Sequence, residues 1–350
     1  VYHGMLTNES WDENPYNSRN DGPCWLASDF FTDPDAKELF KRRLDYIVAR
    51  WGHSPQIFAW ELFNEVDLAR YDRFSSVIDW HREMGRYLKK VDPNRHLVTT
   101  SLSQKSSSSE LWELGEIDFI QKHLYGPDAP RETLKKYLDY RRFKKPFFIG
   151  EYGRGSELGD ARGDRLGEDL RKALWATFML PTGGNIMPWW WDSHIRPHNL
   201  EKAFAPLTAF AADIDRRSQN LRLIDTAMLL KDDREVLVRG LLSNRACYLW
   251  LRPPEDPAHS SDTPLVPDGQ RVAISGILGG QYDVSIIDTT SGETLMKKQL
   301  ASRNGRLLIP LVRCENDVAV KVQVQGNPTP RFITRPELLG VENGGTPPTR

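Results

Sequence analysis

The sequence is poor in cysteine and has no long apolar run, and each shortage excludes a class of protein. Three cysteines occur among 350 residues, and Cys24, Cys247 and Cys314 form neither a dense disulfide framework nor a metal-ligand spacing. Cys247 and Cys314 fall in the same C-terminal region and could pair if the chain is secreted. No run of about 18 apolar residues occurs, so the sequence predicts no membrane-spanning helix.

The sequence also lacks an excess of charge of one sign. The net charge is −1 and no long stretch is dominated by either sign, so nothing indicates a nucleic-acid or membrane-surface partner. No phosphate-binding loop, dinucleotide fingerprint or metal cage occurs, and we therefore predict no cofactor and no metal. An initiating Met is absent, and residues 1–6 resemble the end of a buried strand. We therefore expect the chain to be truncated at its N-terminus.

Short apolar runs alternate with amphipathic helical patterns over residues 1–215, which is typical of a parallel sheet with helical crossovers. Asp33, Pro34 and Gly52 are placed to cap, begin and end the first helix. The predicted strands are Tyr2–Leu6, Ile57–Leu62, His96–Ser101, Phe119–Leu124, Pro146–Glu151 and Asn185–Trp190.

Strand spacing favours a (β/α)₈ TIM barrel of the α/β class. Glu65 and Glu151 each follow an apolar strand and lie 86 residues apart, which fits three barrel units of about 29 residues. Only six strands are visible, so the sequence predicts a barrel without its first two units. We assign residues 1–215 to this partial barrel.

The pattern changes after Asp215. Eight short strands separated by Asp-Asp, Ser-Asn, Gly-Gly, Ser-Gly and Asn-Gly turns predict a small antiparallel β-sandwich over residues 216–326. We expect this domain to pack against the barrel rather than to bind carbohydrate, since exposed aromatic residues are few there. Residues 327–350 are rich in Pro, Gly and Thr and are predicted to form a flexible tail.

Two strand ends carry the chemistry. The runs Phe58–Val66 and Pro146–Gly153 are apolar strands that end in the carboxylates Glu65 and Glu151, at the barrel rim where active sites lie. Taken singly, each is more often a solvated rim residue. Strands three units apart face each other across the barrel mouth, however, and two carboxyl groups about 5–5.5 Å apart hydrolyse a glycosidic bond with retention.

These two motifs resemble clan A glycoside hydrolases, most closely the cellulase-like family 5. The resemblance implies that Glu65 is the acid/base and Glu151 the nucleophile, and that Asn64 binds the sugar 2-hydroxyl. It also implies that Tyr125 donates a hydrogen bond to the nucleophile and that His123 lines the site near the acid/base. His123 taken alone would be interpreted as a core histidine.

Three further positions follow from the resemblance. An indole platform is expected within Pro188–Asp192, and we predict Trp190 or Trp191 for that role, with core packing for at least one of the indoles. His3 ends the first visible strand and matches a family position only weakly. An Arg on the family's second strand, which supports the nucleophile, has no counterpart here. Asp67 and His194 are interpreted as loop-ordering residues.

The predicted function is that of an O-glycosyl hydrolase, a retaining β-glycosidase involved in polysaccharide degradation. The substrate is a β-linked glucan, mannan or similar oligo- or polysaccharide, which predicts an extracellular or periplasmic location. Two alternatives stay open: an exo-acting β-glycosidase of the same clan, and a carbohydrate-binding barrel remnant without catalysis. The sequence does not give the linkage or the oligomeric state.

Overall fold

The computed structural model describes residues 11–104, 110–217, 219–254, 264–326 and 335–341. The chain divides into two compact units. The first comprises Val1–Pro127, Lys135–Ser156 and Thr182–Trp189, and the second comprises Asp128–Leu134, Glu157–Pro181 and Trp190–Arg350. This division differs from the predicted boundary at residue 215, and the predicted domain assignment stays a prediction.

Seven α-helices and fourteen strands are formed by the described residues. The helices are Pro34–Trp51 (α1), Phe74–Val91 (α2), Glu110–Glu113 (α3), Ala129–Tyr140 (α4), Leu158–Ala161 (α5), Glu168–Phe178 (α6) and Phe204–Ala211 (α7). The strands are Ala59–Glu61 (β1), Leu97–Thr99 (β2), Ser101–Leu102 (β3), Ile120–Tyr125 (β4), Phe147–Gly153 (β5), Arg222–Leu229 (β6), Glu235–Leu242 (β7), Ala246–Arg252 (β8), Arg271–Ser275 (β9), Gln281–Asp288 (β10), Thr294–Ala301 (β11), Arg306–Pro310 (β12), Val318–Val324 (β13) and Glu337–Val341 (β14).

The first helix begins and ends at the residues that the sequence predicts. The Asp33 side chain accepts a hydrogen bond from the amide of Ala36 at 2.8 Å, Pro34 begins α1, and Gly52 ends it. Phe40 and Leu44 lie on its buried face.

Parallel strands of the first unit form an arc that places the acidic residues. β1 pairs with β2, and β3, β4 and β5 pair in sequence order. The predicted strand 96–101 is thus present as β2 and β3. The predicted strand Asn185–Trp190 is instead an extended segment: Met187 donates to the carbonyl of Ile149 at 3.2 Å, and Trp189 to that of Tyr152 at 2.8 Å. The predicted strand Tyr2–Leu6 lies outside the described residues.

Two antiparallel sheets dominate the second unit. The six-stranded sheet has the order β11-β10-β13-β8-β7-β6, and the three-stranded sheet has the order β12-β9-β14. Val284 from the larger sheet and Ile274 from the smaller one belong to one buried apolar cluster. Every strand predicted after residue 215 is present, which confirms the antiparallel pattern. The predicted tail contains β14, which pairs with β9.

The cysteines do not pair. Cys247 and Cys314 are both buried in the apolar cluster of the second unit as free thiols, so the pairing considered from their positions is not formed. Burial raises the pKa of the Cys314 thiol to about 12, which keeps it protonated and unreactive. Within the described ranges, no helix is both long and apolar enough to cross a membrane.

Candidate active site

Glu65 lies in a turn with unusual backbone geometry. It follows β1 and precedes the short 3₁₀ turn Val66–Leu68, with φ 48° and ψ 50°, in the left-handed region. A residue with a Cβ atom adopts this conformation at a cost of about 1–2 kcal/mol, so the surrounding contacts must hold it. Ser101 supplies one of them, since its Oγ accepts a hydrogen bond from the Glu65 amide at 2.8 Å.

His123 connects Glu65 to Glu151. Its Nδ1 lies 2.8 Å from Oε1 of Glu65 and 3.0 Å from Oε2 of Glu151. The three ligating atoms of this group lie within 4.8 Å of one another. The structure therefore brings together two carboxylates from strand ends that are 86 residues apart in sequence.

Glu151 has a second donor. The Tyr125 hydroxyl donates to Oε2 of Glu151 at 2.6 Å. β4 carries both Tyr125 and His123, and it pairs directly with β5, where His123 is the register partner of Glu151. Two donors directed at one oxygen stabilise the charged carboxylate.

The two acids change the protonation of their neighbours. Burial by itself would lower the pKa of His123, but the hydrogen bonds and charges of Glu151 and Glu65 outweigh it and raise the pKa to about 9. Burial and the Glu151 carboxylate together raise the pKa of the Tyr125 hydroxyl well above its usual range. His123 is therefore an imidazolium at neutral pH, and Tyr125 is a permanent donor.

Asn64 lies beside the same anchor as Glu65. Ser101 Oγ donates to Oδ1 of Asn64 at 3.3 Å while it accepts from the Glu65 amide. One serine thus fixes two consecutive residues of the predicted motif. Sequence reasoning did not single out Ser101, although its position at the end of the predicted strand 96–101 was a signal for it.

The predicted aromatic platform is split between the two compact units. Trp189 belongs to the first unit, and its amide bonds to the carbonyl of Tyr152, the residue after Glu151. Its side chain is 47% exposed. Trp190 and Trp191 belong to the second unit, and their predicted role stays a prediction. Trp191 is also exposed, at 59%. His3 lies outside the described residues.

A metal was not predicted for this site, and the site chemistry can be stated without one. Glu65, His123 and Glu151 form a group whose donor set could in principle hold an ion. The separations of 2.8 and 3.0 Å from Nδ1 to the two carboxylate oxygens are those of charge-assisted hydrogen bonds. His123 Nε2 is buried without a hydrogen-bond partner among the described residues.

Comparison with known proteins gives the family context of this geometry. The chain is 30% identical over 194 residues to mannan endo-1,4-beta-mannosidase 2 of Arabidopsis thaliana, a match that covers 43% of each chain. It is 28% identical over 169 residues to mannan endo-1,4-beta-mannosidase 1 of Solanum lycopersicum, covering 37% of this chain and 42% of that one. The match thus spans less than half the length of these curated relatives. No family profile matches the chain.

A solved structure agrees at the level of the fold. A glycoside hydrolase family 5 protein from Bacteroides vulgatus superposes with a TM-score of 0.53 at 11% identity, covering 82% of this chain and 66% of that one. The resemblance to clan A glycoside hydrolases of family 5 is confirmed. The glycoside hydrolase TIM-barrel fold predicted for the α/β part is thereby supported, and the residue roles that the resemblance implies are taken up below.

Proposed function

We propose that this chain carries the active site of a retaining β-glycoside hydrolase that cleaves a mannan-type polysaccharide, with Glu65 as acid/base and Glu151 as nucleophile. The observation that supports this most is the separation of the two acids. A carboxylate oxygen of Glu65 and one of Glu151 lie within 4.8 Å of each other. So close an approach favours the roughly 5–5.5 Å carboxyl separation of retaining enzymes over the roughly 6.5–9.5 Å separation that gives inverting enzymes room for a water.

The two roles follow from the different surroundings of the acids. Glu151 is contacted by the Tyr125 hydroxyl and by the His123 imidazolium, both at Oε2. These two donors hold the Glu151 carboxylate through Oε2 and leave Oε1 as the attacking oxygen. Of these two donors, only His123 contacts Glu65. We assign to Glu65 the role of carrying a proton to the leaving group.

The reaction proceeds in two displacements. Glu151 Oε1 attacks the anomeric carbon while Glu65 gives its proton to the glycosidic oxygen, so the carbon–oxygen bond to the leaving sugar breaks and a glycosyl ester forms. Glu65, now ionised, takes a proton from water, and the resulting hydroxide attacks the same carbon and releases Glu151. Both inversions together retain the β configuration.

The remaining predicted residues would act on the substrate. Asn64, held by Ser101, is placed beside Glu65 and would bind the sugar 2-hydroxyl. The sequence relatives are mannan endo-1,4-beta-mannosidases, which favours a mannan over a glucan and internal over terminal cleavage. A polymeric substrate favours a location outside the cytoplasm. The antiparallel sheets of the second unit would form a packing domain of β-sandwich type.

The proposal is tested with a panel of substrates. The 350-residue chain, Glu65→Ala and Glu151→Ala are assayed on β-mannan, β-glucan and aryl β-glycosides, with and without azide. We expect cleavage of mannan by the unmodified chain and a loss of at least about 10³-fold in both variants, since each removes one of two required groups. Azide is expected to restore turnover of the aryl glycoside in both variants, with a different product for each.

The product of azide rescue separates the roles. Azide in the cavity of Glu151→Ala should give the α-glycosyl azide, whereas azide in Glu65→Ala should give the β-glycosyl azide through the glycosyl ester. The opposite pairing would reverse the two assignments. Binding of mannan without cleavage by the unmodified chain would contradict catalysis and favour the carbohydrate-binding alternative.

A further inference from the structure

A buried lysine lies directly beside the site, and the chemistry proposed above does not use it. Lys122 precedes His123 on β4, and its side chain is fully buried. Its ammonium donates to the carbonyl oxygen of Ser103 and lies 5.9 Å from the centre of the Tyr140 ring. A buried charge is costly unless specific contacts compensate it, so this position needs an explanation beyond packing.

Ser103 links Lys122 to Asp67. The Ser103 amide donates to Oδ1 of Asp67 at 2.7 Å, and its hydroxyl donates to Oδ2 at 2.5 Å. Both carboxylate oxygens of Asp67 thus hold one residue, whose carbonyl in turn accepts from Lys122. The peptide of Ser103 lies between the Asp67 carboxylate and the Lys122 amine and is hydrogen-bonded to both.

Asp67 lies in the turn that Glu65 begins. The amide of Leu68 donates to the carbonyl of Glu65 at 2.9 Å and closes the turn over Asp67. The left-handed conformation of Glu65 persists only where its surroundings determine it. The two-oxygen attachment of Asp67 to Ser103 is such a determinant, and it acts two residues away from the carboxylate that contacts His123.

The charges around Lys122 are consistent with this link. The pKa of Lys122 is lowered to about 7, mainly by burial. The charges of Asp67 and Glu65 act against this lowering, whereas the charge of Lys136 adds to it. Lys136 itself donates to the carbonyl of Gln104 at 3.1 Å, and the Gln104 side chain accepts from the amide of Tyr125 at 2.9 Å. The segment that follows β3 is thus attached both to the Glu65 turn and to β4.

We propose that Lys122 and Asp67 are positioning residues: acting through Ser103, they hold the turn of Glu65 in the conformation in which its carboxylate reaches His123. This inference rests on the proposed function for its kinetic consequence. The position of Glu65 relative to His123 can nevertheless be measured without turnover.

The experiment compares Lys122→Met, Asp67→Asn and the double variant with a matched control. Methionine follows most of the lysine stem, one atom shorter and without the amine, and asparagine replaces one of the two carboxylate oxygens that accept from Ser103 by an NH₂ group. Lys145→Met is the control, because Lys145 also donates to two backbone carbonyls, those of Leu114 at 2.5 Å and Ile117 at 2.6 Å. It precedes β5, at the end of that strand opposite to Glu151.

Two quantities are measured on each protein: the titration midpoint of the His123 imidazole by NMR, and kcat and KM on the substrate that the panel identifies. Loss of the Glu65 contact should lower the midpoint of His123 by about one pH unit or more in Lys122→Met and in Asp67→Asn. A displaced acid should lower kcat by about 10²-fold with little change in KM. The double variant should lose no more than the worse single variant, because both act through Ser103.

The outcomes separate this inference from the proposed function. An unchanged His123 midpoint and kcat in folded Lys122→Met and Asp67→Asn would overturn the inference, as would equal changes in Lys145→Met. If Lys122→Met does not fold, Asp67→Asn, at a half-buried position, decides alone. If the unmodified chain cleaves no glycan but the midpoint shifts as expected, the positioning role stands and the proposed function fails.

Discussion

The imidazolium between the two carboxylates makes a quantitative prediction about stability and pH. We consider the variant His123→Asn, whose side-chain amide nitrogen can take the place of Nδ1 as a neutral donor. The pKa of His123 is raised from its ordinary 6.5 to about 9 in the folded chain. The charged imidazole therefore stabilises the folded state, and the substitution removes that contribution.

The sign follows from proton binding. The contribution of His123 is fully present below pH 6.5, where the imidazole is protonated in both folded and unfolded chains, and it is lost as pH rises through about 9. The shift of about 2.5 pH units, at about 1.4 kcal/mol each, amounts to about 3–4 kcal/mol. His123 is 1% exposed, so solvent screening does not reduce this figure appreciably.

The quantity to compare is the difference in free energy of unfolding between the variant and the unmodified chain, because other groups of the unmodified chain also titrate in this pH range. The pKa of Lys122 is lowered to about 7, so the folded chain loses the Lys122 proton at a lower pH than the unfolded chain does. The contribution of Lys122 to the free energy of unfolding therefore rises with pH above 7 and opposes the loss from His123. Both proteins contain Lys122, so its contribution cancels in the difference between them. His81, whose pKa burial lowers to about 4, acts below pH 6.5 and outside this window.

The assay is urea unfolding at pH 6, 7, 8 and 9, followed by far-ultraviolet circular dichroism. We expect His123→Asn to be less stable than the unmodified chain at pH 6. The difference in their free energies of unfolding should decrease by about 3 kcal/mol by pH 9. His81→Asn is the control, because His81 is the other fully buried histidine among the described residues of the first unit. Its difference in free energy of unfolding should be constant between pH 7 and 9. A difference for His123→Asn that does not change with pH would refute the imidazolium.

Three further predictions concern other contacts. Arg171→Met leaves Asp317 buried without its 2.6 Å partner and should cost about 3–5 kcal/mol in urea unfolding, whereas an equally stable variant would show that this ion pair is dispensable. Ser101→Ala removes the acceptor of the Glu65 amide and should lower kcat by about 10–10²-fold; unchanged kcat would contradict the anchoring role. The buried thiol of Cys314 should react with a thiol reagent only in urea, and fast labelling of the native chain would contradict its burial.

The local elements could be predicted from the sequence because their causes are local. Asp33, Pro34 and Gly52 specify the limits of α1 through capping and φ preference, and the structure uses all three. Alternating apolar residues and turn dipeptides predicted strands at 235–242 and 318–324, and β7 and β13 have these limits. Helix α4 was not predicted, although Asp128 caps it through the amide of Arg131 and Pro130 lies in its first turn, the same kinds of signal that predicted α1.

The candidate site could be predicted only in part, for a physical reason. Strand spacing and the motif endings predicted that Glu65 and Glu151 face each other. Each βα unit of a barrel has a similar length, so the number of residues between two strand ends gives their positions around the barrel. The sequence alone could not show that His123 lies between both acids, that Ser101 anchors Glu65, or that Lys122 is buried beside them. Those contacts join residues 19 to 58 positions apart, and their distances depend on how neighbouring strands register and twist. Local chemistry thus determined the elements and the identity of the acids, and only tertiary packing decided which polar groups hold them in place.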